Sequence, residues 1–226
     1  MSETTQPSSH AGRGDASLPK MTLLAILLFW LPLAAMWLIM GVEGPAVNAV
    51  MSRLPSPDAN LAAFGIVLSL SLVVESPIIQ MLSAATAVVH GEADYRRLLG
   101  LMTRLAAILT AVHLLIAFTP LYELLTTRLL GVPADIAELG RIPFVVMAPF
   151  SAAVGYRRLW QGVLIRFGHT GVVSVTMVVR IIALALALVL LVLTQPVGGA
   201  MIAAIAIISG VIAGAAAAWV SFRLLL

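Results

Sequence analysis

The chain has 226 residues, 61% apolar and 10% charged, with net charge +3, no cysteine and a mean hydropathy of +1.08. A soluble domain of this size needs more polar exterior than that, so the composition points to a membrane protein. It also excludes disulfides, thiolate metal sites and cysteine nucleophiles, and the scattered arginines form no basic patch for nucleic acid.

Residues 1–19 are rich in Ser, Thr, Gly and Pro and read as a disordered cytoplasmic tail, with a transmembrane bundle over 20–226. Met21–Val42 is 22 uncharged residues long. That exceeds a signal-peptide core and reads as a retained span. It extends to about Met51, with breaks expected at Pro32 and Gly44-Pro45. Span two covers Ala59–Val89, broken near Pro77, and span three Leu98–Phe118. A loop holding Gly131-Val132-Pro133 leads to span four, Ile142–Ile165. Span five is Gly168–Leu193 and, after the Gln195–Gly199 turn, span six is Ala200–Leu224. The fold class is therefore all-α, a polytopic membrane protein with six transmembrane helices.

Lys and Arg set the orientation. With the N-terminus inside, the inner segments hold Arg13, Lys20, Arg96, Arg97, Arg104, Arg166 and Arg223, against Arg53, Arg128 and Arg141 outside. The asymmetry predicts both termini in the cytoplasm of a cell (inner) membrane.

Charges inside the spans carry the functional argument. Arg180 is the sole charge in Thr170–Leu193, and Glu75 the sole charge between Asn60 and Val89. A charge at mid-bilayer costs roughly 2.5–3.5 kcal/mol even on the most lenient scale. Such residues face a wet cavity, a partner charge or a substrate path. Arg180 reads either as an anion ligand or as the partner of Glu75. Ser69, Ser76, Gln80, Ser83 and His90 recur on one helical face, next to Glu75. That stripe is either a hydrogen-bonded helix interface or a cavity wall, and Glu75 favours the wall. Arg157, one turn before Gln161, shares its face, and Arg158 follows. These arginines either snorkel to the headgroups or line the cavity. The basic candidates outnumber the acids Glu75 and Glu43, and guanidinium suits carboxylate or phosphate. The substrate-binding candidates are thus Glu75, Gln80, Arg157, Gln161 and Arg180.

His113, alone on an apolar face, reads as a structural residue. No protease, hydrolase or nucleotide-binding motif and no metal-ligand spacing appears, so an enzyme ranks last. No cofactor is expected, with coupling to H+ or Na+ left open. Ala206, Gly210, Gly214 and Ala218 recur every four residues, a small-residue face whose partner helix lies in this chain or in another.

Phe29-Trp30-Leu31-Pro32-Leu33 and Gly44-Pro45-Ala46-Val47-Asn48 resemble the opening of a bundle in the multidrug and toxin extrusion (MATE-like) superfamily. Arg157-Arg158-Leu159-Trp160-Gln161-Gly162-Val163-Leu164 and Val178-Val179-Arg180-Ile181-Ile182 are most similar to its progressive ankylosis (ANK-type) branch. The resemblance implies one six-helix half of a two-bundle transporter, and for the ANK-type branch export of anions such as pyrophosphate, citrate or nucleotides. The expectation is efflux of a small anionic organic solute by a fragment or a half-transporter. Its partners would be the lipid bilayer, the solute, and either a second half or a homodimer through the Gly210/Gly214 face. A flippase for a lipid-linked headgroup and a non-transporting assembly subunit are the alternatives.

Overall fold

The computed structural model describes residues 23–226; the expected disordered tail of residues 1–19 lies outside them. Several side chains in the first helix, among them Phe29, Pro32 and Leu33, lie outside the description too. Among the described residues every regular element is helical. They are α1 (Leu23–Met51), α2 (Pro57–Glu75), α3 (Met81–Val88), α4 (Glu92–Phe118), α5 (Leu121–Glu123), α6 (Ala134–Val146), α7 (Phe150–Arg166), α8 (Thr170–Thr194) and α9 (Gly199–Leu225). A 3-10 turn, Ser76–Ile78, follows α2, and a π-helical turn, Leu124–Leu129, follows α5. Long apolar segments adopt this form because a helix satisfies its own backbone without water.

Pro57–Val88, Glu92–Phe118, Thr170–Thr194 and Gly199–Leu225 are long and apolar enough to cross a membrane. A fifth span exists if α6 and α7, bent by 44° at their junction, count as one. The described residues thus give four to five spans, against the six expected. The first expected span falls on α1, a 29-residue helix. Leu24, Trp30, Ile108, Leu115, Val175, Ile182 and Leu190 stand exposed on α1, α4 and α8. This is the apolar exterior a multi-pass membrane protein requires.

The prolines behave differently from one another. No break occurs at Pro32 or at Gly44-Pro45, since α1 runs unbroken through both. Pro77 does end a helix. A proline orphans the carbonyl four residues earlier, here that of Val73. Ser76 satisfies it, its backbone N–H bonding the Val73 carbonyl and its hydroxyl donating to the same oxygen at 2.8 Å. At Gly44-Pro45 the helix continues without such a cap. Span four starts earlier than expected, at Ala134, with Pro143 inside α6 and the bend at Met147–Pro149. There Ala148 N–H takes up the Val145 carbonyl that Pro149 leaves free, at 3.0 Å.

α9 is central. Ala206, Gly210, Gly214 and Ala218 are all buried. A Cβ on Gly210 would lie 2.9 Å from Leu184 Cβ and 3.0 Å from the Arg180 carbonyl. The small-residue face therefore receives α8 of the same chain. It is filled from within and is not open to a second copy, which corrects the expected homodimer through Gly210/Gly214. Asn60 ties the other end of the bundle. Its Nδ2 donates to the carbonyls of Pro55 and Ser56, each at 3.0 Å, and its Oδ1 accepts the Ala200 N–H at 2.9 Å, at the start of α9.

Candidate functional site

Arg157 and Arg158 stand mid-way along α7. Gly214 makes room for the first. A Cβ there would meet Arg180 Cβ at 3.1 Å and Arg157 Cδ at 3.4 Å. The glycine lets α7, α8 and α9 converge with two arginine stems between them. Arg157 is 3% exposed. Its Nη1 donates to Met177 Sδ at 3.0 Å, and a thioether is a poor acceptor for a guanidinium. The Nε–H groups of Arg157, Arg158 and Arg180 are buried and find no acceptor among the described residues. Unanswered buried cationic donors are costly and seldom kept without a reason.

Next to them lies a cavity of about 380 Å³. Arg157, Arg158, Gln161 and Ile165 of α7 form one wall, Ser83 and Thr86 of α3 another, and Trp37 and Met40 of α1 a third. Gln161 Nε2 donates to Thr176 Oγ1 at 2.8 Å, and Thr176 Oγ1 in turn donates to the Val173 carbonyl at 2.7 Å. These bonds pin α7 to α8. Gly162 sets the opposite gap, since a Cβ there would lie 2.6 Å from both Ala85 Cβ and the Leu82 carbonyl. Thr86 Oγ1 bridges the crossing, donating to the carbonyls of Leu82 at 2.9 Å and Gly162 at 3.2 Å.

Of the five residues singled out in the sequence, only Arg157 and Gln161 line this cavity. Arg180 does not line it. It does not pair with Glu75 but with Glu43 of α1, its Nη2 lying 2.7 Å from Oε1 and 2.6 Å from Oε2. Glu75 is the last residue of α2, 4% exposed, and makes no ion pair or hydrogen bond with a described side chain. It lies in the field of Arg158, Arg157 and Arg180. Gln80 is exposed in the turn before α3 and does not reach the cavity. Ser69, Ser76, Ser83 and His90 are exposed with it, so the polar stripe is not an interface within this chain, and only Ser83 touches the cavity.

The sequence reading missed Glu43 as an ion-pair partner. The signal was present, because Glu43 is the sole charge in α1. It also left out Trp37, Thr86 and Thr176, which carry no charge and so no sequence mark. His113 matches its structural reading. Its Nε2–H donates to the Phe144 carbonyl at 2.8 Å and its ring stacks on Phe144 at 3.9 Å.

Arg157 and Arg158 are the charged residues of the cavity wall, while Arg180 is answered by Glu43 elsewhere in the bundle. Such a site can hold an anion by the charge of its two guanidiniums. No cluster of three or more acidic or His side chains that would hold a metal ion occurs among the described residues. Compared with family models, with curated proteins and with solved structures, the chain gives no match.

Proposed function

We propose that the chain is a secondary membrane transporter that exports a small organic anion, acting as one bundle of a two-bundle assembly. The observation that carries this reading is the cavity of about 380 Å³ walled by Arg157, Arg158 and Gln161, with guanidinium Nε–H donors that no described residue answers. The volume suits a small solute. The resemblance of residues 157–164 and 178–182 to the ANK-type branch supports the same sign of substrate. On this reading the bundle has six spans, α1 being the first, and both termini lie in the cytoplasm. Alternating access would rock this bundle against a second one around the cavity.

The test is uptake of a panel of labelled anions (citrate, pyrophosphate, a nucleotide) into proteoliposomes. Transport of at least one of them, lost in Arg157→Gln and in Arg158→Gln while the protein still inserts, is the expected result. Equal transport by the arginine variants would refute the reading.

A second reading has its own observation. A groove of about 520 Å³ between α1 and α8, lined by Leu38, Val42, Ala46, Ile181 and Leu188, has Glu43 in its wall. An acyl chain would fit it, as a flippase for a lipid-linked headgroup needs. Movement of labelled lipid between leaflets, absent for soluble anions, would favour that reading.

A further inference from the structure

The charge of the cavity sits at one end of it. On α7, Arg157 and Arg158 precede Ile165 by about two turns, roughly 10 Å along the helix axis. The other walls keep that register. Gly162 abuts Ala85 and Leu82, so Ala87 of α3 lies toward the Ile165 end. On α1, Glu43 marks the level of Arg180, and Met40 packs on the cluster of Leu164, Val173 and Met177. Trp37 lies a further turn away from Glu43. Ile165, Ala87 and Trp37 thus make the far end of the cavity apolar. Between the ends, Gln161 Nε2 is engaged by Thr176, and Thr86 Oγ1 by the carbonyls of Leu82 and Gly162. Among the described residues no further cation lines the walls. Exposure rises toward the apolar end, from 3% at Arg157 to 62% at Trp37.

Resting on the anion-transport reading above, we infer that the solute is an amphiphilic monoanion, one carboxylate or sulfonate on an aromatic or alkyl body. Its acid sits on Arg157 and Arg158, and its body lies along Ile165, Ala87 and Trp37. A guanidinium matches the geometry and charge of such an acid. The body removes water from the apolar walls, and the indole gives a ring a flat face to stack on. A compact polyanion fits the same slot worse. Citrate or pyrophosphate fixed at the arginines keeps further charges inside the cavity, where Ile165, Ala87 and Trp37 carry no charge to answer them. A charge drawn out of water without a partner is strongly disfavoured. The cavity therefore selects for how the charge is distributed over the solute as well as for its sign.

The test is equilibrium dialysis at neutral pH with the purified full chain in lipid nanodiscs. The probes are labelled 2-naphthoate, which has the acid and the body, and labelled sulfate, which has no body. Naphthoate is expected to bind at least about tenfold more tightly than sulfate, with citrate and pyrophosphate poor competitors and the neutral 2-naphthamide no competitor. Arg158→Gln should weaken both probes. Trp37→Ala, at an exposed position that the fold does not lean on, should weaken naphthoate about tenfold and leave sulfate unchanged, and Trp37→Phe should retain naphthoate. Ile165→Arg sets a cation at the apolar end and should raise the affinity for citrate above that of the unmodified protein. If citrate competes as well as unlabelled naphthoate and Trp37→Ala changes neither probe, while Arg158→Gln loses both, the anion site stands and the amphiphilic solute is refuted. If binding of both probes is indifferent to Arg157→Gln and Arg158→Gln, the anion site itself is refuted and this inference goes with it.

Discussion

Replacing Arg180 by Leu tests the ion pair most directly. Both partners are nearly sealed, their side chains 7% and 8% exposed. One Nη2 bridges two carboxylate oxygens at 2.6 and 2.7 Å. At that separation and an effective dielectric near 20, the attraction is on the order of 6 kcal/mol, most of it offset by the cost of drying both ions. Arg180→Leu removes the attraction and leaves Glu43 buried and unpaired, so the expected loss of stability is about 3–5 kcal/mol. The double variant Glu43→Leu/Arg180→Leu removes both charges and should recover most of that loss. The assay is unfolding in detergent micelles followed by intrinsic fluorescence, with the four proteins of the cycle compared side by side. A single variant within about 1 kcal/mol of the unmodified protein, or a double variant no better than the single one, would show that the pair is not what holds α1 on α8. Loss of transport in Arg180→Leu alone would therefore not identify Arg180 as an anion ligand.

Gly162→Ala forces a Cβ to within 2.6 Å of the Leu82 carbonyl, so α3 has to move away from α7. The expected cost is about 1–3 kcal/mol, with anion binding altered because both helices wall the cavity; thermal unfolding and sulfate dialysis check it. Asn60→Ala leaves the Ala200 N–H and the Pro55 and Ser56 carbonyls without this partner, for a loss of about 1–3 kcal/mol and faster amide exchange at the start of α9. Tyr122, outside the spans, donates its hydroxyl to the Ala137 carbonyl at 2.9 Å. Burial pushes its phenol up to about 12 from an ordinary 10. Its contribution is therefore intact below pH 10 and lost as pH rises toward 12; ultraviolet titration should show one late tyrosine, and Tyr122→Phe should abolish it at a cost of about 1 kcal/mol.

Much of the bundle was legible before any coordinates. The far end of α4 and both ends of α8 and α9 follow, to within two residues, from apolar length and from turn residues such as Gln195-Pro196, because a membrane helix has to be long and internally bonded; α4 starts earlier than expected, at Glu92. The intramembrane charges were equally plain, since each stands alone in an apolar run. What α1 does at Pro45, and where span four begins, depended on tertiary packing and not on the prolines alone.

The sequence by itself determined that the chain is a helical membrane protein carrying buried guanidinium and carboxylate groups, because hydropathy and the cost of an intramembrane charge are properties of residues taken one at a time. Only the tertiary structure decided the pairing. It gave Arg180 to Glu43, 137 positions away, left Glu75 without a partner among the described residues, and sent Gln80 to the surface. It also placed Gly214 where two arginine stems pass. Pairing depends on which helix faces come together, and an apolar helix such as α1 carries no periodic mark of its own to say which face that is.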